Sequence, residues 1–158
     1  MSEKPYKTNF SAFSDMKDQL GKEIGLSAWM TIDQLAINRF AEITKDEQWI
    51  HTDPKMAAQY SPYKTTIAHG FLVLSMASHI AMECMSVENM GMGVNYGLDR
   101  VRFTNAVPVN ARIRGRMELL TYEAIPNGAK YKMLLTIELE GSEKPACVAE
   151  WIGVGYTR

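Results

Sequence analysis

The chain has 158 residues, of which 46% are apolar and 22% are charged, and these fractions are typical of one soluble globular domain. Its 17 Lys and Arg side chains nearly balance 18 Asp and Glu side chains, which leaves a net charge of −1. This balance supplies no basic surface for nucleic acid or for an anionic membrane, and we expect neither partner.

Neither the cysteines nor the N-terminal residues carry a signal for oxidation or export. Cys84 and Cys147 do not form a Cys-x-x-Cys pair, and both lie in apolar segments, so we expect buried, reduced thiols. Residues 1–5 lack the apolar core of a signal peptide, and no segment approaches the roughly 20 apolar residues of a membrane helix. We therefore expect a cytoplasmic protein with a single domain over residues 1–158.

The first part of the chain predicts helices and loops. Residues 1–22 are predicted to be an N-terminal lead-in, helical or irregular over 11–21, and residues 23–30 a first strand. Thr31-Ile32-Asp33-Gln34 has the form of a capping box, and apolar residues follow it at helical spacing. This pattern predicts a helix over residues 33–43 with one buried stripe.

A second helix is predicted to begin at His51-Thr52-Asp53-Pro54. Thr52 or Asp53 can cap it, and Pro54 suits the first helical position because its missing N–H would be unpaired there anyway. Ser61-Pro62 ends this helix, since the residue before a proline avoids helical geometry.

Residues 71–85 predict a third helix that is apolar almost all round. Its main polar interruptions are Ser75, Ser78, His79 and Glu83. A helix without a polar face must be enclosed, and this one is too short to cross a bilayer, so protein must enclose it. A curved antiparallel sheet wrapped around one central helix satisfies that requirement.

The last part of the chain predicts the strands of such a sheet, and the separation of helices from strands indicates an α+β fold. Pro126-Asn127-Gly128 is a turn with a residue able to adopt positive φ. Long neighbouring strands joined by short turns pair antiparallel. The predicted strands are a broken one over 94–103, one over 111–119 that alternates arginines with apolar residues or glycine, and two over 131–140 and 146–156.

The segment with the clearest chemistry contains Asp46 and His51. Five positions apart on a continuous helix, these side chains would point about 140° from each other, so they cooperate only if the chain bends between them. The sequence places them where one helix has ended and the next has not begun. A carboxylate and an imidazole that converge on one water can perform general acid–base catalysis.

Gly70 opens the predicted apolar helix and offers a site for developing negative charge. Its N–H is among the four at a helix start that lack an intrahelical acceptor, and a glycine lets a ligand approach the backbone closely. A substrate carbonyl placed against this amide would be polarised by the amide and the helix dipole together.

These residues resemble the MaoC-like family of (R)-specific enoyl-CoA hydratases, and especially its nodulation-protein-N branch. The family motif is an aspartate, a histidine five positions later, Asp-Pro, and an Ile-Ala-His-Gly type of element downstream. Here these are Asp46, His51, Asp53-Pro54 and residues 67–70, with looser similarity from about the 33–43 helix to Trp151. The resemblance implies a hot-dog fold, in which a sheet wraps a central helix, in agreement with the pattern above.

The resemblance also implies a role for each matching residue. Asp46 and His51 hold and activate water, and Gly70 donates its amide to the thioester oxygen. Ser78 lies eight residues after Gly70, where the family has a serine that is hydrogen-bonded within the active site; otherwise it bonds its own helix backbone. His69 is predicted to have a structural role at the start of the helix, with a catalytic role as the alternative.

The implied reaction is reversible addition of water to a trans-2-enoyl thioester of coenzyme A or of an acyl-carrier protein. The thioester is the substrate, and no other cofactor or metal is expected. A homodimer or higher homo-oligomer is expected, because one sheet edge and the mouth of the pocket would otherwise be exposed.

The sequence departs from the hydratase pattern at Gln48-Trp49, where the family usually has Asn-Pro. Gln48 can still hydrogen-bond in support of the site, but Trp49 is far larger than proline and does not fix φ. This change leaves two other functions open. One is a thioesterase, in which activated water attacks the carbonyl, and the other is a non-catalytic protein that binds acyl thioesters.

Three other features have plainer interpretations. His51, His69 and an aspartate would make a two-histidine, one-carboxylate metal site, but no pair has the helical spacing of a zinc motif. The methionines, five of them between residues 76 and 92, are predicted to pack in the core. The arginines of residues 102–116 are predicted to lie on a solvated strand face, with coenzyme A phosphates as the alternative.

Overall fold

The computed structural model describes residues 3–158, which form eight strands, five α-helices and one 3-10 helix over Phe13–Gln19. The helices are α1 (Gln34–Thr44), α2 (Trp49–Thr52), α3 (Pro54–Tyr60), α4 (Gly70–Ser75) and α5 (Ala77–Cys84). The strands are β1 (Tyr6–Phe10), β2 (Glu23–Leu26), β3 (Met30–Thr31), β4 (Met85–Val87), β5 (Met90–Phe103), β6 (Arg112–Ile125), β7 (Gly128–Leu139) and β8 (Cys147–Thr157). Among residues 3–158, no helix is both long and apolar enough to cross a membrane.

All eight strands belong to one sheet with the order β4-β1-β2-β6-β7-β8-β5, and β3 pairs with β6. The pairs are antiparallel, except that β1 and β4 are parallel. The prediction of a purely antiparallel sheet is therefore wrong at this edge. Parallel pairing is accessible there because a long connection containing all five helices, and not a tight turn, joins β1 to β4.

The sheet curves around α5, and two glycines allow the close approach. A Cβ at Gly115 of β6 would overlap the side chain of Ile80, and a Cβ at Gly25 of β2 would overlap the backbone of Cys84. Both helix residues are fully buried. Cys84 and Cys147 are free and buried, as predicted. The sheet-around-helix arrangement predicted from the sequence is therefore present.

The predicted helix over 71–85 differs from the structure in two respects. It is two helices that meet at Met76, where the Ser75 hydroxyl donates to the Phe71 carbonyl at 2.6 Å and the Met76 N–H donates to Val73 at 3.2 Å. A hydroxyl bonded back to its own helix in this way bends the helix. In addition, one face is open, because Phe71 is 68% exposed and Met82 is 64% exposed. A single chain therefore does not enclose this helix all round.

The N-terminal segment is more than a lead-in. Phe10 of β1 and Phe13 and Met16 of the 3-10 helix are buried in the core, so residues 6–19 are part of the fold. The predicted strand over 23–30 is two strands, β2 and β3. Residues 27–29 separate them, and the hydroxyl of Ser27 accepts the Gly115 N–H at 2.8 Å.

The helix caps are partly as predicted. Asp53 caps α3 by accepting from the backbone of Lys55 and Met56, and Pro54 is the first helical residue. The capping box at Thr31 is absent, because Asp33 caps α1 by accepting from the Ala36 N–H at 2.8 Å. The turn between β6 and β7 has Asn127 at a φ of 58°, as its sequence predicts.

The arginines of β6 alternate with buried residues, but their face is not simply solvated. Arg114 is 8% exposed, lies against the Trp29 ring and pairs with Glu138 at 2.6 Å. Arg116 also pairs with Glu138 and with Glu23. These partners leave the two guanidinium groups engaged within the chain.

The methionines between residues 76 and 92 were predicted to pack in the core. Met85 is buried as predicted, but the prediction is wrong for Met82 and Met92, which are exposed.

Candidate active site

The chain bends sharply between α1 and α2, in the segment that carries Asp46. Helix α1 ends at Thr44, and Lys45 follows in the left-handed region with a φ of 63°. A left-handed residue directly after a helix reverses the chain direction. Residues 46–48 are not helical and Gln48 has a ψ of 134°, so the chain also departs from helical geometry between Asp46 and His51, as predicted. The helix α2 nevertheless begins at Trp49, before His51, so the expectation that no helix starts between Asp46 and His51 is wrong.

The bend brings three side chains together. One carboxylate oxygen of Asp46 and one ring nitrogen each of His51 and His69 lie within 4.8 Å of one another. The two imidazole rings stack with their centroids 3.8 Å apart and an angle of 25° between their planes. Asp46 and His51, which are five positions apart in the sequence, are thus neighbours in the folded chain.

The hydrogen bond made by His51 indicates which of its nitrogens is free. Its Nδ1 lies 2.7 Å from the carbonyl oxygen of Ile67, so Nδ1 carries the hydrogen that the carbonyl accepts. The Nε2 lone pair is then available to accept a proton. Burial lowers the pKa of His51, because desolvation disfavours the imidazolium. His51 is therefore arranged as a neutral base at neutral pH.

Two residues that were not predicted to belong to the site fix the position of His51. The amide of Gln34 in α1 donates to the His51 carbonyl at 2.8 Å, and the Thr66 hydroxyl donates to the Gln34 carbonyl at 2.6 Å. Gln34 was interpreted from the sequence as the last member of a capping box, but its side chain binds here instead. No local sequence pattern predicted a role for Thr66 in the site.

His69 contacts the connector, which is the segment of residues 45–48 between α1 and α2, and does not cap its own helix. Its Nε2 lies 2.9 Å from the Asp46 backbone oxygen and 4.0 Å from the carboxylate, while its side chain makes no cap bond to α4. The ring is 3% exposed. His69, directly before α4, therefore contacts the segment that carries Asp46, and its role stays a prediction.

A cavity of about 330 Å³ extends from His51 to the start of α4. Gly70 is the first residue of α4, so its N–H lacks an intrahelical acceptor, as predicted. The Phe103 ring lies over this glycine, only 3.0 Å from where a Cβ would be. The lining also contains Ile67 and Ala68 of the 67–70 motif and Val73 of α4. Its other residues were not predicted, because loops and strand ends carry no periodic signal: Tyr63, Phe103, Thr104, Asn105, Ala106, Val107 and Ala146.

Besides His69, three predicted site residues lie outside this lining. Asp46 stands beside His51 with its side chain 52% exposed. Ser78 is exposed on α5 and borders two other clefts, of about 290 Å³ and 240 Å³, between α5 and the strands β5 and β8. Gln48 accepts the His51 N–H at 2.9 Å through its backbone carbonyl, and its side chain is exposed. Supporting roles for Ser78 and the Gln48 side chain stay predictions.

Asp46, His51 and His69 are the residues best placed to hold a metal ion, but their geometry suits other contacts. The lone pairs of an imidazole lie in the ring plane, so two rings stacked at 25° direct them side by side and not toward one point. His51 Nδ1 and His69 Nε2 are also engaged with backbone carbonyls. Metal binding by all three would require at least one ring to leave its position.

Comparison with known proteins identifies relatives across nearly the whole chain. The family described as MaoC like domain matches residues 15–137. The chain is 42% identical over 144 residues to 3-hydroxyacyl-thioester dehydratase Z of Mycobacterium tuberculosis, covering 90% of this chain and 95% of that protein. It is also 42% identical over 147 residues to nodulation protein N of Rhizobium leguminosarum bv. viciae, covering 90% of each.

Solved structures agree with the architecture. The unliganded R-hydratase PhaJ1 from Pseudomonas aeruginosa superposes with a TM-score of 0.74 at 18% identity, over 94% of this chain and 88% of that one. The likeness at this identity concerns the fold, which is the hot-dog arrangement of a curved sheet around a helix. The family match and the two relatives at 42% identity establish that the chain belongs to the MaoC-like dehydratase family.

Proposed function

We propose that the chain is an (R)-specific hydratase and dehydratase that adds water reversibly to a trans-2-enoyl thioester of coenzyme A or of an acyl-carrier protein. Membership of the MaoC-like dehydratase family makes it a hydro-lyase. The observation that carries the proposal is the convergence of the Asp46 carboxylate with His51, whose Nε2 lone pair is free, beside the cavity that reaches Gly70.

The proposed reaction uses this geometry directly. A water molecule held by Asp46 and His51 loses a proton to the pair, and its oxygen bonds to C3 of the enoyl group. The electron pair of the double bond moves toward the thioester carbonyl, whose oxygen gains negative charge and accepts the Gly70 N–H. The Asp46 and His51 pair then delivers one proton to C2, so water is added and both groups return to their initial states.

The size and chemistry of the cavity fit a thioester. Its volume of about 330 Å³ is within the roughly 300–1,000 Å³ typical of small-molecule sites. The Gly70 N–H lies at a helix start, where the helix dipole favours developing negative charge. No proton transfer in this scheme needs a metal ion or a redox cofactor, and we propose that neither takes part.

A spectrophotometric assay with a short series of enoyl-CoA thioesters tests the proposed function. Loss of enoyl absorbance without release of thiol is the expected result. Free thiol in place of hydrated product would identify a thioesterase on the same fold. Ligand binding without any turnover in the unmodified protein would identify a non-catalytic acyl-thioester binding protein.

Substitution of Gly70 by alanine is expected to lower kcat/KM roughly 10-fold, about 1.4 kcal/mol of transition-state stabilisation. The new Cβ would lie 3.0 Å from the Phe103 ring and would obstruct the approach of the thioester oxygen to the amide. Gly97→Ala is the matched control, because nothing lies within 4 Å of its added Cβ. Equal kinetics in both variants would contradict the role of Gly70.

We also propose that the chain forms a homodimer through β5. This 14-residue strand is at the edge of the sheet, and its exposed apolar side chains include the alternating Met92, Val94, Tyr96 and Leu98. A long apolar edge promotes association with another chain unless it is covered. The exposed face of α4 and α5, which includes Phe71 and Met82, lies across clefts from the same strand.

The double substitution Val94→Lys and Leu98→Lys is expected to halve the mass measured by light scattering, because like charges would face each other in the interface. Met56→Lys is the control, since Met56 is an exposed apolar residue on α3, away from the sheet edge. A monomeric wild-type protein, or a dimer that persists in the double variant, would contradict the proposed interface.

A further inference from the structure

We propose that His69 is a positioning residue for the catalytic pair: its Nε2–H fixes the Asp46 carbonyl, and its ring supports the ring of His51. This inference rests on the proposed function, since it concerns how that pair is held in place. His69 is not required to touch substrate, because it is buried and is absent from the lining of the cavity.

The first support is the contact with Asp46. Among the described residues, the Asp46 carboxylate accepts no side-chain hydrogen bond, and its side chain is half exposed. The backbone of the connector is held from inside the protein, where His69 Nε2 lies 2.9 Å from the Asp46 carbonyl oxygen. A hydrogen bond to the backbone sets the direction of the side chain on the same residue without engaging the carboxylate.

The second support is the contact with His51. The His69 ring lies between Phe40, at a centroid distance of 5.0 Å, and His51, at 3.8 Å. The nearly parallel stack leaves little freedom for the His51 ring to tilt. The Ile67 carbonyl fixes one edge of the His51 ring through Nδ1, so the opposite nitrogen, Nε2, is directed by both contacts.

The third support is the loss of stability that a histidine causes at this position. The Nδ1 atom of His69 is buried and has no hydrogen-bond partner in the described part of the chain. A buried polar atom without a partner lowers stability, and a phenylalanine would fill the same space without that cost. Packing alone therefore does not account for His69, whereas the Nε2–H bond to Asp46 does.

Two substitutions at His69 distinguish the effect of its hydrogen-bond donor from the effect of its aromatic ring. His69→Phe keeps an aromatic ring against Phe40 and His51 but removes the N–H, whereas His69→Gln keeps an amide N–H in the same place and removes the ring. We expect kcat to fall roughly 10- to 100-fold in His69→Phe, because a small misplacement of a reacting group has effects of this size. We expect a smaller loss of kcat in His69→Gln, about threefold, because the donor to Asp46 is kept and the Ile67 carbonyl still holds His51 after the ring contact is lost, and we expect KM to change little in both.

The measurements are kcat and KM for enoyl-CoA hydration, with thermal unfolding of each variant to show that it is folded. Recovery of kcat by glutamine supports positioning, because a merely structural role would follow ring volume and not the donor. Wild-type kcat in His69→Phe would overturn the proposal, as would equal losses in both folded variants. Absence of turnover in the wild type itself would instead contradict the proposed function.

Discussion

Replacement of Asp46 by asparagine is expected to lower kcat for enoyl-thioester hydration by roughly 10²- to 10⁴-fold, the usual contribution of general acid–base catalysis. Asparagine has nearly the same size as aspartate but does not take up or release a proton. The His69 contact is to the backbone carbonyl of Asp46, so it is kept in the variant. The loss is therefore expected in kcat and not in substrate binding.

The stability of this variant should be close to that of the wild type. The Asp46 carboxylate is half exposed and, among the described residues, accepts no side-chain hydrogen bond, so its charge contributes little to the fold. Glu47→Gln is the matched control, because it removes the adjacent exposed carboxylate and should leave kcat unchanged. Unfolding of Asp46→Asn would instead give Asp46 a structural role, and full activity would exclude it from the mechanism.

The sequence predicted the parts of the site that depend on local chemistry. The spacing of Asp46 and His51 required a bend between them, and the non-helical residues 46–48 provide it. The glycine that opens the apolar helix was evident from its position before residue 71. The resemblance to the MaoC-like family and the α+β fold are confirmed by the family match and the related structures. The catalytic roles stay predictions.

The parts that the sequence did not predict depend on contacts between distant segments. Gln34 binds the carbonyl of His51 and accepts from Thr66, and neither contact alters the local pattern of apolar residues. The strand β1 was missed because its five residues are mostly exposed and alternate weakly. Its partner β4 is only three residues long. Short strands are defined by pairing, which single-sequence periodicity does not contain.

The apolar helix shows where a correct pattern led to a wrong detail. Residues 71–85 are apolar on almost all sides, and the prediction that protein must enclose them was made for a single chain. In one chain the face with Phe71 and Met82 stays open, next to the exposed edge strand β5. The same residues that contradict full enclosure therefore support the proposed dimer, because a second chain would complete the burial.

The pH dependence of the reaction should report the protonation of His51. Its burial lowers the pKa below the ordinary histidine value of 6.5, because the charged ring loses solvation. The base is active when neutral, so kcat/KM should be constant above pH 6.5 and should fall as the pH decreases through the lowered pKa. The groups that face His51 are Asp46, which favours the imidazolium, and His69, which disfavours it.

Substitution of His51 by glutamine should lower kcat roughly 10²- to 10⁴-fold. It should also remove the fall in kcat/KM at low pH that protonation of His51 causes. Glutamine still donates a hydrogen bond toward Ile67 but does not accept a proton from water at any pH in the measured range. His79→Gln is the matched control, because His79 lies on α5, is half exposed and pairs only with Glu83 among the described acidic residues. An unchanged profile in His51→Gln, or a wild-type midpoint above 6.5, would show that another group is the base.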